Sequence, residues 1–207
     1  MYYIIKYTVN SLIYNNNFFK NFFKGASAVY HLFTERLVLT LSHPRLSDAV
    51  CRFHNENRKA FADTEPLRPA DFYTFKGVRE NLRYDDKLSR KCEEFRFWIT
   101  EKGSNEIIGT VCISSILFGS VKSCFLSYKI AQSCQGKGYA TEAVGEIVHF
   151  AFKILQLHRI ESYVMPRNSK SIRVMEKLNF MPEGISKRCL EVNGKWEDHI
   201  RFSLLNE

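Results

Sequence analysis

The sequence predicts one mixed α/β domain of seven strands and four helices, in the order β-α-α-β-β-β-α-β-α-β-β. Three observations carry this reading. Short runs rich in strand formers alternate apolar and polar residues, as half-buried strands do. The stretch from Tyr139 to Leu155 places Ala140, Ala143, Val144, Ile147, Val148 and Ala151 at helical spacing, which gives one apolar face. The dipeptide Asn193-Gly194 separates two alternating runs, and it suits the type I′ turn of a two-residue hairpin.

Each element follows from the chain in order. Arg36 to Leu41 alternates and reads as the first strand. Ser47-Asp48 and the run to Asn57 read as a first helix, and Pro69 to about Tyr84 as a second. Proline suits the start of a helix, where its missing N–H costs nothing. Phe95 to Thr100 and Glu106 to Ser115 form a hairpin around the turn Lys102-Gly103-Ser104-Asn105. Ser123 to Ile130 is a strand, followed by the long helix. Arg159 to Val164 is a strand and Ser169 to Leu178 a short helix. Phe180 to Glu191 and Lys195 to Leu204 make the closing hairpin.

Residues 1–33 stand apart from this domain, which is expected to span 34–207. The arm crowds Tyr2, Tyr3, Tyr7, Tyr14, Phe18, Phe19, Phe22, Phe23, Tyr30 and Phe33 around three consecutive asparagines. Between Lys6 and Lys20 it is too short and polar for a transmembrane helix. It also lacks a clean apolar region with a small-residue cleavage site. Three readings fit it: a poorly ordered extension, a cationic aromatic segment resting on a membrane or partner, or translated sequence upstream of the natural start.

The 207 residues suffice for one well-cored domain or two small ones. A composition of 45% hydrophobic and 25% charged residues excludes disordered, collagen-like and low-complexity classes. The six cysteines contain no C-x-x-C pair and read as reduced thiols of a cytoplasmic protein. The six histidines show no metal-ligand spacing, so no metal is expected. A net charge of +8 attracts polyanions without choosing among nucleic acid, ribosome, anionic membrane and a nucleotide cofactor. No run of five or six like charges marks a nucleic-acid tail, and no RNP, KH or zinc-knuckle signature is present.

The chemistry is written most clearly from Tyr128 to Ala143. There a strand ends, a glycine turn follows at Gln135-Gly136-Lys137-Gly138, and a helix begins at Tyr139, Ala140 and Thr141. Unpaired N–H groups and the positive end of the helix dipole favour an anion, and glycine lets it approach the backbone. A diphosphate fits such a place. A turn that needs glycine for its geometry alone is the competing reading. The Walker pattern G-x-x-x-x-G-K-[ST] is absent, as is the third glycine of a Rossmann fingerprint.

Gln135-Gly136-Lys137-Gly138-Tyr139-Ala140 resembles the acetyl-CoA loop, Q/R-x-x-G-x-G/A, of the GCN5-related N-acetyltransferase (GNAT) superfamily. Three more blocks resemble its RimJ/RimL-like branch, in the right order. They are Thr34-Glu35-Arg36-Leu37-Val38-Leu39, then Asn168 to Phe180 with Ser171, Glu176 and Lys177, and finally Asn193-Gly194-Lys195-Trp196 with Asp198. The resemblance covers roughly Thr34 to Leu205. It implies a twisted, mixed and mostly antiparallel sheet of about seven strands with four flanking helices, and a V-shaped splay between the fourth and fifth strands.

By the same resemblance, acetyl-CoA is the cosubstrate and lies in that splay. Its pantetheine arm pairs with the strand edge near Ile130, whose N–H also polarises the thioester carbonyl. Gln135, Gly136, Lys137, Gly138, Tyr139, Ala140 and Thr141 hold the diphosphate. Asn168 contacts the pantetheine, while Lys137, Lys170 and Arg173 screen phosphates. Ser171 protonates the departing thiolate, because Met175 occupies the position where many relatives have a tyrosine. Phe125 stands where the branch often has a glutamate, which leaves the base unassigned among Glu142, Asp198, Glu183 and water.

The expected activity is transfer of an acetyl group to a primary amine. The acceptor is a small molecule or a protein N-terminus such as that of a ribosomal protein, attacked directly in a ternary complex. The alternatives are a degenerate acyl-CoA-binding sensor and, on charge alone, an RNA- or ribosome-binding protein. Either a monomer or a homodimer is compatible with the chain. Acceptor choice is expected from the segment between about Arg45 and Leu88 and from the last hairpin, with Trp98 and Trp196 as candidate lining residues.

Overall fold

The computed structural model describes residues 30–207. Eight strands form one sheet: β1 (His31–Phe33), β2 (Leu37–Leu41), β3 (Phe95–Glu101), β4 (Ile107–Leu117), β5 (Ser123–Ile130), β6 (Arg159–Val164), β7 (Met181–Val192) and β8 (Lys195–Leu205). Their spatial order is β1-β2-β3-β4-β5-β6-β8-β7. Every neighbouring pair is antiparallel except β5 and β6. That parallel pair needs a crossover, supplied by helix α3 (Tyr139–His149). The other helices are α1 (Ser47–Phe61), α2 (Phe75–Arg90) and α4 (Ser169–Lys177).

Alternation along the strands divides the core into two faces. Phe95, Phe97 and Ile99 of β3 join Val144, Ile147 and Phe150 beneath α3. Trp98 points the other way and joins Val50, Phe53, Phe61, Val78 and Leu82 of α1 and α2. Trp98 is therefore a core residue, with its Nε1–H donating to Ser42 Oγ at 2.8 Å, while Trp196 is 62% exposed on the last hairpin.

The structure corrects three expectations. The sheet has one more strand than the seven read from sequence. The extra strand, β1, lies in the stretch assigned to the arm; it pairs with β2 and buries Leu32, and Tyr30 packs on Phe97 and Phe150. Its alternation covers only three residues, too short a window to read. The rest of the arm, 1–29, lies outside the described residues.

The second helix starts at Phe75 rather than Pro69. Pro69 instead caps a 3-10 turn, Ala70–Tyr73, and Thr74 takes over as the helix cap. The Thr74 hydroxyl donates to the Asp71 carbonyl at 2.7 Å and accepts from Gly77 N–H at 3.1 Å. Gly77 permits this junction, because a Cβ there would lie 2.0 Å from the Asp71 oxygen.

The long helix also ends early. From Phe150 to Ile154 it widens into a π-turn, which seats Phe150 edge-on against Phe95 and Phe97. The closing hairpin forms as expected: Asn193 and Gly194 both take positive φ, 48° and 75°, as a type I′ turn requires.

The expected splay lies between β5 and β6. They pair only at Ser123–Arg159, Cys124–Ile160 and Phe125–Glu161, while β6 stays paired with β8 along its whole length. The arms of β5 and β6 then part, leaving a gap whose β5 side runs from Leu126 to Ile130.

Buried His54 lies against Phe72 and edge-on to Trp98. Burial, then the Lys129, Arg96 and Arg68 cations, push its pKa down from 6.5 to about 3. The unfolded chain binds this proton below pH 6.5 and the folded one does not, so stability should fall as pH drops from 6.5 toward 3. His54→Phe should remove up to about 1.4 kcal/mol per pH unit from that slope. Denaturant unfolding at several pH values checks this; an unchanged slope would contradict it.

Candidate active site

The hydrogen-bond register of β5 decides what faces the gap. Ala131 N–H donates to the Ile108 carbonyl at 2.8 Å, and Gly109 lies opposite Ile130. Antiparallel residues alternate between bonded and non-bonded pairs. Ser127, Lys129 and Ala131 therefore direct their main-chain groups to β4. Leu126, Tyr128 and Ile130 turn theirs toward β6 and the gap. Two contacts agree: Leu126 C=O accepts from Ser162 Oγ at 3.1 Å, and Ile130 C=O accepts from Gln135 Nε2 at 3.1 Å. The N–H groups of Tyr128 and Ile130 remain directed into the gap. Ile130 thus stands where the sequence placed it. Tyr128 was missed, because only the strand register reveals its orientation.

Beyond Ile130 the chain makes a 3-10 turn, Gln132–Cys134, and enters the glycine loop. Gly136 and Gly138 have φ of 79° and 84°, a conformation that strains other residues. Gly138 is the N-cap of α3. The first N–H groups of α3, on Tyr139, Ala140 and Thr141, are those for which a helix supplies no partner. Tyr139 contributes only its main chain here, since its ring lies in the core beneath the Arg36 guanidinium, 4.7 Å from Arg36 Cζ.

One carboxylate fastens this loop. Glu142, in the first turn of α3, accepts from Thr34 Oγ1 at 2.6 Å, Arg36 N–H at 2.8 Å and Arg36 Nε at 2.7 Å. Arg36 Nη1 reaches on to the Lys137 carbonyl at 3.0 Å. Burial alone would raise the Glu142 pKa, but the hydrogen bonds from Thr34 and Arg36 outweigh it and hold the carboxyl below its ordinary range. Glu142 is thus committed to holding the loop.

The other wall of the gap is α4. Asn168 caps it, its Oδ1 accepting from Ser171 N–H at 3.1 Å. Tyr128 crosses from β5, its hydroxyl donating to the Ser171 carbonyl at 3.4 Å, and burial raises this phenol to about 12. Lys170 Nζ donates to Gln135 Oε1 at 2.8 Å and so links α4 to the loop. The structure thus gathers Ile130, the Gln135–Thr141 loop, Asn168 and Ser171 around one gap. Lys137 is exposed on the loop, Arg173 is exposed further along α4, and Met175 is fully buried.

The other candidate carboxylates are engaged elsewhere. Glu183 pairs with Arg159 and Arg201 and accepts from Ser203 Oγ, and Asp198 binds Lys187 and Arg188 N–H. Among the described residues no group of histidines, cysteines and acids could hold a metal, all six cysteines are free, and no helix is long and apolar enough to cross a membrane. An open pocket of about 440 Å³ lies apart from the gap, between α1, the start of β4 and the 3-10 turn after β5. It contains neither the strand-edge N–H groups nor the glycine loop.

The chain matches the acetyltransferase (GNAT) domain family over residues 36–181. It is 41% identical over 153 residues to a probable N-acetyltransferase of Bacillus subtilis, YjcK, across 73% of this chain and 84% of that protein. It is 31% identical over 173 residues to the ribosomal protein uS5-alanine N-acetyltransferase of Escherichia coli, across 84% and 89% respectively. The structure of ribosomal-protein-S5-alanine acetyltransferase from Vibrio fischeri matches with a TM-score of 0.82 at 32% identity, covering 86% of this chain and 97% of that one. Mycobacterium smegmatis RimJ in complex with CoA-disulfide matches with a TM-score of 0.79 at 26% identity, covering 86% of each chain. The chain therefore belongs to the acetyltransferase (GNAT) domain family, in its RimJ/RimL-like branch, and is an N-acetyltransferase.

Glu142→Ala should cost about 1–3 kcal/mol of stability, because it removes the shared acceptor of Thr34 and Arg36. Exposed Glu176→Ala on α4 should change stability by less than about 0.5 kcal/mol. Thermal unfolding of both variants measures this. Equal, small shifts would mean that the Glu142 anchor does not hold the loop.

Proposed function

We propose that the chain transfers the acetyl group of acetyl-CoA to a primary amine, the N-terminal α-amine of a protein, by direct attack in a ternary complex. The observation that carries this reading is the pairing of inward-facing N–H groups at Tyr128 and Ile130 with a glycine loop opening a helix beside them. The fit is chemical. A pantetheine arm carries amides that pair with a strand edge, and a diphosphate suits the N–H groups from Gly136 to Thr141. The two relatives that acetylate ribosomal protein S5 support a protein N-terminus as acceptor.

Acetyl-CoA supplies an activated carbonyl carbon with a thiolate leaving group. The Ile130 N–H donates to the carbonyl oxygen as negative charge develops there. The amine nitrogen forms the new C–N bond, the C–S bond breaks, and no acyl-enzyme is needed. Two proton movements remain: the amine loses one proton and the thiolate gains one. Ser171 is the donor in this reading. It sits in the first turn of α4, its main chain fixed by Asn168 and Tyr128, and its hydroxyl is not engaged as the helix cap. Buried Met175 cannot serve.

Steady-state kinetics of Ser171→Ala test this assignment. The expected result is a kcat lowered by about a hundredfold, the small end of general-acid effects, with KM for acetyl-CoA nearly unchanged. A kcat within about twofold of the unaltered chain, with chemistry rate-limiting, would remove Ser171 from the mechanism. Binding of acetyl-CoA without transfer to any amine would identify a silent acyl-CoA-binding module instead.

A further inference from the structure

The acetyl-transfer reading leaves the acceptor side without a carboxylate. Phe125 occupies the position where the branch often carries one, and Glu142, Glu183 and Asp198 are committed elsewhere. Another half-buried carboxylate lies on the α1 face of the sheet: Glu65, in the loop between α1 and the Ala70–Tyr73 turn. Its Oε1 is paired with Lys129.

Lys129 is placed by strand alternation. It lies between Tyr128 and Ile130, whose main-chain N–H groups face the gap, and its side chain leaves β5 on the α1 face. There the ammonium stands 5.0 Å from the Phe61 ring centroid and 5.8 Å from that of Phe53. Burial pulls its pKa down and Glu65 pulls it back up. The Glu65 main chain is fixed as well, because its carbonyl accepts from Asn193 N–H at 2.9 Å in the β7–β8 turn. Leu67 packs over Gly194 of the same turn. β5 therefore holds the Glu65 carboxylate, through Lys129, while the β7–β8 turn holds its main chain.

An ionised carboxylate has room for several donors, and among the described residues the hydrogen bond to the Glu65 side chain uses Oε1 alone. We propose that Glu65 is the acceptor-binding residue, its Oε2 receiving an N–H of the incoming primary amine, and that Lys129 is the positioning residue that holds it. This rests on the acetyl-transfer reading and names the group that orients the acceptor. The pair also sets the form of amine that binds. Lys129 already neutralises Glu65, so a second ammonium would add a positive charge with no counter-charge in the pair. A neutral amine adds none and is the form that attacks.

The test is steady-state kinetics with acetyl-CoA and a panel of synthetic peptides beginning with alanine, serine or methionine, plus spermidine. For whichever amine is acetylated, Glu65→Gln should raise the acceptor KM about tenfold, while the acetyl-CoA KM stays within about twofold. Glu65→Asp should recover part of the loss. Glu65→Gln leaves Lys129 without its partner and could unfold the chain. The double variant E65Q/K129M removes both charges and carries the same expectation, with calorimetric titration of acetyl-CoA showing that the gap is intact. An acceptor KM within about twofold of the unaltered chain, in either folded variant, would overturn the inference. Failure of the unaltered chain to acetylate any amine would overturn the acetyl-transfer reading, and this inference with it.

Discussion

Glu142 is the carboxylate on which the site's geometry hangs. It gathers the Thr34 hydroxyl, the Arg36 N–H and the Arg36 guanidinium onto the first turn of α3, joining segments 108 and 106 residues apart in sequence. Arg36 then lies over the Tyr139 ring and reaches the Lys137 carbonyl. A loop built from Gly136 and Gly138 has no stiffness of its own, since glycine gives up the most conformational freedom on ordering. The anchor supplies that stiffness from outside the loop. It also uses a charge that favours a helix N-terminus without occupying the main-chain N–H groups there.

The gap beside the loop follows from two constraints on β5. Its odd-numbered residues exchange hydrogen bonds with β4, which leaves its even-numbered residues facing β6. β6 pairs with β8 along its full length but with β5 only as far as Phe125. A row of strand-edge groups is thus left inside a sheet rather than at its border. Ordinarily such groups would pair with another strand. Here Ser162 and Gln135 engage two of the carbonyls, and the N–H groups of Tyr128 and Ile130 are directed into the gap.

Much of this was legible in the chain because it is local. The Asn193-Gly194 turn, the strands at 95–101 and 123–130 and the glycine loop each announce themselves within a few residues. Four features were not legible, for physical reasons. Pro69 is compatible with the start of a helix, but the Thr74 hydroxyl competes for the cap and wins by satisfying Gly77 N–H as well. β1 is too short to show a period. The Glu65–Lys129 pair joins residues 64 apart in sequence, and neither residue type in its local setting suggests a partner. The same holds for Tyr128, whose orientation depends on which β4 residue lies opposite. The glycine loop and the Asn168 cap are local in sequence, whereas the Glu65–Lys129 pair is built from long-range packing.

The central claim is that acetyl-CoA lies in the β5–β6 gap with its diphosphate on the anchored loop. Amide hydrogen exchange followed residue by residue, with and without acetyl-CoA, tests it most directly. The account predicts added protection at Tyr128, at Ile130 and from Gly136 to Thr141. Protection elsewhere with these amides unchanged would contradict it.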